Sequence, residues 1–143
     1  TLVRSVGDPR NAIALGAMAL LSYVARRGGV MVSRSLDAAE LLRADGIEAT
    51  VVDMHTLKPL DTDLLDRLAA STGCMVTAED HSIIGGLGGA VAEHLISNRP
   101  VPLERVGVQD RFGESAQAEE MLEMMGLTAS DVASAARRAI ERK

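Results

Sequence analysis

The chain is poor in aromatic residues and almost free of cysteine. Its 143 residues include one Tyr, one Phe, one Cys and no Trp. So few rings leave no platform on which bases could stack, and a net charge of -5 offers nothing to a phosphate backbone. A nucleic-acid partner is therefore excluded. Cys74 stands alone and cannot form an internal disulfide, which points to a reducing, cytoplasmic setting. It lies in the apolar run Cys74–Val76, where a thiol is buried and inert rather than nucleophilic. Long apolar runs are missing too. The charge-free stretch from Asn11 to Ala25 falls short of the ~20 residues of a bilayer-crossing helix. Arg26 and Arg27 then stand where a signal peptide needs small residues, so no membrane partner is expected. His55 and His94 have no clustered companions at metal-ligand spacing, and no metal site is expected.

What remains is a clear alternation of helical and extended patterns. Val32, Leu36, Ala39 and Leu42 recur at helical spacing, which predicts an amphipathic helix from Val30 to Ala44, stopped at Gly46. Ile47–Met54 reads as a buried β-branched strand, followed by a turn around Lys58-Pro59. Asp61 caps a second helix, Thr62–Ser71, which Gly73 ends before the strand Cys74–Ala78. A glycine cluster then leads into a helix ending near Asn98. Val101–Val108 is the next strand, Gln117–Met125 a short acidic helix, and Thr128 with Asp131 caps the last helix. Arg137, Arg138, Arg142 and Lys143 close that helix, where cations complement its dipole. Strand and helix in alternation predict an α/β fold, a three-layer α/β/α arrangement around a mainly parallel sheet of about five strands.

Two irregular segments carry the candidate functional residues. In such folds ligands gather at the carboxyl ends of strands, where Glu79, Asp80, His81 and Ser82 stand just before Gly85, Gly86 and Gly88. The helix amides after Gly86 could cradle an anion, so a free-standing anion- or nucleotide-binding module is one reading. Gly86 and Gly88 begin a dinucleotide fingerprint, but Val91 occupies its third glycine position, and tight packing of the turn is the plainer alternative. Asp80 beside His81 suggests acid–base chemistry, yet no nucleophile can be assigned to it; a turn or interface hydrogen bond is the other reading. His94 falls on an exposed stretch of its helix. The second segment, Asp110–Ser115, holds Arg111, the only Phe and Glu114, and its mix of types suits a docking surface. Met121, Met124 and Met125 beside it form an adaptable apolar edge.

Val51–Asp61, Val76–Gly88 and Val108–Ser115, in that order, resemble the C-terminal domain of transketolase, above all the small subunit of the split bacterial form. Gly29–Ser33 and Met125–Thr128 fit the same pattern, so the likeness runs from about Gly29 to the C-terminus. Deoxyxylulose-phosphate synthase and the β subunits of 2-oxo acid dehydrogenases are similar at a greater distance. The resemblance implies two-carbon ketol transfer between sugar phosphates, as in the pentose phosphate pathway, with thiamine diphosphate and Mg in the assembled enzyme. It also implies that the cofactor is held by pyrimidine- and pyrophosphate-binding domains or subunits other than this one. No Gly-Asp-Gly metal motif occurs in the chain. This chain alone is therefore expected to bind no cofactor and to be inactive, supporting assembly and a homodimer. Its interface or ligand-loop candidates are Glu79, Asp80, His81, Ser82, Gly85, Gly86, Gly88, Arg111 and Glu114.

The N-terminus departs from that pattern. The family domain opens with a short β-branched strand before its Gly-Val-Met-Val-Ser segment. Here Leu20–Val24 could serve as that strand, although Asn11–Leu21 looks more helical. The codons of Met18-Ala19, read one nucleotide earlier, allow Asp-Gly-Val-Ile-Ile-Val, a strand-like opening. Residues 1–28 are accordingly read as a divergent or frameshifted segment, and residues 29–143 as the transketolase-like C-terminal domain.

Overall fold

The computed structural model of the chain describes residues 2–6, 18–22, 29–111 and 117–143. Among them run β1 (Leu2–Val6), β2 (Met18–Ser22), α1 (Val30–Ala44), β3 (Ala49–Asp53), α2 (Thr62–Thr72), β4 (Met75–Ser82), α3 (Leu87–Asn98), β5 (Leu103–Val108), α4 (Ala118–Met125) and α5 (Ala129–Glu141). The described strands form one five-stranded sheet in the order β1-β3-β2-β4-β5. β3, β2, β4 and β5 run parallel to one another, whereas β1 lies antiparallel on the outer edge of β3. The three-layer α/β expectation is met.

Helix ends follow local chemistry. The Asp61 carboxylate accepts from the Leu64 amide at 3.1 Å, and α2 ends at Gly73. Thr128 and Asp131 form the expected reciprocal cap on α5: the Asp131 amide donates to Thr128 Oγ1 at 3.2 Å and the Thr128 amide to Asp131 Oδ2 at 3.0 Å. A second such box, between Gln117 and Glu120, starts α4.

The core lies on both sides of the sheet. One cluster packs Met31, Ala38 and Leu42 of α1 and Val132, Ala135 and Ala136 of α5 onto Val51, Val76 and Ala78. The opposite cluster packs Leu64, Leu65 and Leu68 of α2 and Leu87, Val91 and Leu95 of α3 onto Val52 and Met75. Burial on both faces explains why β3 and β4 read as nearly continuous apolar runs. Of the terminal cations, Arg137 binds Asp45 at the end of α1, while Arg138 and Arg142 bind Glu104 of β5. The open edge of β5 is blunted: Arg142 donates to the Leu103 carbonyl at 2.7 Å and Gln109 to the Gly107 carbonyl at 3.2 Å.

The helical reading of Asn11–Leu21 is corrected where it can be seen. Met18–Leu21 is strand, part of β2, and β2 pairs with both β3 and β4 at the centre of the sheet. Asn11–Ala17 lie outside the described residues. Two parallel neighbours override the helix preference of an Ala- and Leu-rich stretch. β1 was not anticipated at all.

Candidate functional site

β4 runs past Ala78, where sequence spacing ended it, to Ser82. Its pairing with β5 is irregular there. Ala78 faces Val106 and Ser82 faces Val108, so Glu79, Asp80 and His81 stand against Gly107 alone. This is a β-bulge, and it undoes the strict alternation of faces. Asp80 and His81 are both exposed, although they are adjacent, while Glu79 turns inward and is 1% exposed.

Glu79 is bound where one reading of the sequence would seat an external anion. Its carboxylate accepts from the amides of Leu87 at 2.8 Å and Gly88 at 2.9 Å, the first amides of α3. A negative group at a helix N-terminus satisfies donors that have no intrahelical partner and complements the dipole. The anion-cradle reading of Gly85–Gly89 is thereby corrected, since the chain's own carboxylate fills the cradle. The glycines around it make room. A Cβ on Gly86 would lie 1.9 Å from Glu79 Oε2, and one on Gly107 would lie 3.2 Å from Glu79 Cγ and 3.0 Å from the His81 carbonyl oxygen. Gly88 is buried against Arg105 and Thr77, whereas Gly85, at φ +75°, faces open space.

The His81 Nδ1 lies 3.3 Å from the carbonyl oxygen of Ser82, a local turn contact. Ser82 Oγ accepts from the Ile84 amide at 3.1 Å, and the Ile83 amide donates to Val108, tying the loop back to β5. Ser82, Val108, Asp110 and Arg111 line one hollow of about 320 Å³ at the carboxyl ends of β4 and β5. Asp110 has φ +42°, the one positive value recorded outside glycine among the described residues. Such a conformation is uncommon except for Asp, Asn and His, and here it turns the chain immediately before the exposed Arg111. The structure thus brings Asp80, His81, Ser82 and Arg111 to one end of the sheet. Glu114 and Phe112 lie outside the described residues.

The exposed reading of His94 is corrected: its side chain is 13% exposed, and Nε2 lies 2.8 Å from Asp66 Oδ1 on α2. Cys74 is fully buried, and that burial pushes its thiol pKa up, with the Lys143 charge pulling weakly the other way. Sequence reasoning missed Gly107 and Asp110. An isolated glycine inside a strand pattern was the available signal for the first.

Thiamine diphosphate and Mg do not fit this end of the domain. The helix amides that could hold a diphosphate are taken by Glu79, and Asp80 adds further negative charge beside them. Among the described residues no three His, Cys, Asp or Glu side chains gather to hold a metal ion. No described helix is long and apolar enough to cross a membrane.

Comparison with known proteins bears on the same residues. The family "Transketolase, C-terminal domain" matches residues 27–132. A 6-deoxy-6-sulfo-D-fructose transketolase subunit, SqwH, of a Clostridium species is 50% identical over 115 residues, 80% of this chain and 36% of that protein. The 1-deoxy-D-xylulose-5-phosphate synthase of Chlorobium luteolum is 47% identical over 106 residues, 73% of this chain and 17% of the synthase. A solved structure described as "Split gene transketolase, inactive beta4 tetramer" superposes with a TM-score of 0.82 at 46% identity, over 91% of this chain and 41% of that one. The chain therefore spans less than half of each of these relatives.

Proposed function

Because the chain belongs to the transketolase C-terminal domain family, we propose that it is the C-terminal domain of a split transketolase and acts only in assembly. Its partners are the chains or domains that bind the pyrimidine and pyrophosphate of thiamine diphosphate and hold Mg. Together they transfer a two-carbon ketol unit between sugar phosphates, and the compartment is the cytoplasm. The observation that carries this reading is the internal filling of the α3 N-terminus: the conspicuous glycine turn is spent on Glu79 and is not open to a ligand. What the carboxyl end of the sheet does offer is exposed Asp80, His81 and Arg111, suited to meeting another protein surface. A relative described as an inactive tetramer supports an oligomeric role.

His81→Ala and Arg111→Ala test the docking assignment. Each should weaken association with the thiamine-binding subunits by about tenfold, the loss typical of one strong interface residue. The melting temperature should stay within about 2 °C of the parent, as for surface substitutions. Unchanged association with a collapsed melting temperature would make them internal packing residues. The synthase at 47% identity favours a second reading within the superfamily. Formation of 1-deoxy-D-xylulose 5-phosphate by the reconstituted assembly, in place of ketol transfer between sugar phosphates, would select it.

A further inference from the structure

We propose that Glu79 is a positioning residue, whose carboxylate, held by the amides of Leu87 and Gly88, sets the outward turn that presents Asp80 and His81. The bulge places three residues of β4 against Gly107 of β5, and bulges bend a strand and re-aim its side chains. Only Glu79 of the three turns inward, to 1% exposure, and its two bonds to α3 pin the start of the turn. Gly107 leaves the space under it: a Cβ there would press on Glu79 Cγ, the His81 carbonyl and Ile83 Cγ2, the last at 2.8 Å. The far end is tied separately, through the Ile83 amide to Val108 and through Arg105 to the Ile83 carbonyl at 3.2 Å. With both ends fixed and the middle fed outward, Asp80 and His81 have one direction to face. Glu79, at 1% exposure, acts through its neighbours. That the presented residues meet a partner rests on the assembly reading above; the positioning does not.

Glu79→Ala in the purified chain, probed with sodium formate, tests this. Formate is a carboxylate small enough for the vacated place, and sodium chloride at equal ionic strength is the control. Hydrogen exchange at the Leu87 and Gly88 amides should quicken about tenfold or more on loss of these charge-assisted bonds. The His81 ring resonances should shift, while exchange at Val132 and Ala136 of α5 stays slow. Formate should reverse the first two effects saturably, and chloride should not. Unchanged exchange at Leu87 and Gly88 would overturn the proposal. So would freed amides with the His81 resonances in place, since the carboxylate would then cap α3 without directing the turn. If Glu79→Ala does not fold, Glu79→Gln keeps the shape and sets an amide donor against a backbone donor. It should move the same amides and the same His81 resonances, and unmoved resonances overturn the proposal equally. A chain that binds no thiamine-binding subunit would sink the assembly reading and leave these exchange and resonance results to judge Glu79 alone.

Discussion

Three Gly→Ala substitutions within one turn should give three different stability effects, because the added methyl meets a different obstacle at each. At Gly86 the new Cβ falls 1.9 Å from Glu79 Oε2 and 2.8 Å from its carboxyl carbon. The carboxylate cannot keep its place on Leu87 and Gly88. Loss of two charge-assisted bonds, each worth about 1.5–3 kcal/mol, less what relaxation recovers, amounts to about 3 kcal/mol. For a chain of this length that lowers the melting temperature by roughly 10 °C. At Gly85 nothing lies within 4 Å, but φ is +75°, and a left-handed alanine costs about 1 kcal/mol. At Gly89 there is also open space, within the first turn of α3, and alanine should stabilise by about 0.5–1 kcal/mol through helix propensity. Urea denaturation of the four proteins reads all three. A Glu79→Ala background should remove most of the Gly86→Ala penalty, as two residues in contact are not additive. Equal losses at Gly86 and Gly89, or an unchanged Gly86 penalty without Glu79, would refute the buried-carboxylate account.

Other outcomes follow from the same packing. Leu65→Ala, at a side chain with 0% exposure, should cost about 2–5 kcal/mol in urea denaturation, and a loss below 1 kcal/mol would place it outside the core. A double-mutant cycle of His94→Ala with Asp66→Ala should give about 0.5–1.5 kcal/mol of coupling, whereas zero coupling would deny the α2–α3 tie. The raised Cys74 pKa disfavours the thiolate in the folded chain. Its stabilising contribution is therefore complete below the free thiol's ordinary value of about 8.5 and is lost as pH rises through the higher folded value. Stability above about pH 9 should accordingly fall less in Cys74→Ala than in the parent. We also propose that residues 1–28 are divergent or frameshifted; a stop codon in the earlier reading frame of the gene would eliminate the frameshift.

The parts of the fold legible in the sequence were those set by neighbours along the chain. Asp61, Thr128 and Asp131 act on amides three residues away, and α1 and α2 show their buried faces in their own spacing. Glu79 was not legible in this way. A carboxylate followed by Asp80 and His81 looks like any solvated loop, and its burial depends on α3 and on Gly107 of a different strand. His94 was misplaced for the same reason, since its partner Asp66 sits on α2. β1 and β2 are defined by pairing rather than by pattern. Leu2–Val6 gains its role only from β3, and Met18–Ser22 from β3 and β4 together. The carboxyl end of the sheet could be named beforehand because strand–turn–helix order fixes where it lies. Which of its acids turns inward could not.

Reconstitution tests the central claim most directly. The purified chain is mixed with a subunit carrying the thiamine-binding domains of a split transketolase, in the presence of thiamine diphosphate and Mg, and ketol transfer between sugar phosphates is measured. The account predicts no turnover from either chain alone, a stable complex on mixing, and transfer activity that rises with complex formation and saturates. Turnover by this chain alone, or a partner whose activity is indifferent to its addition, would contradict it.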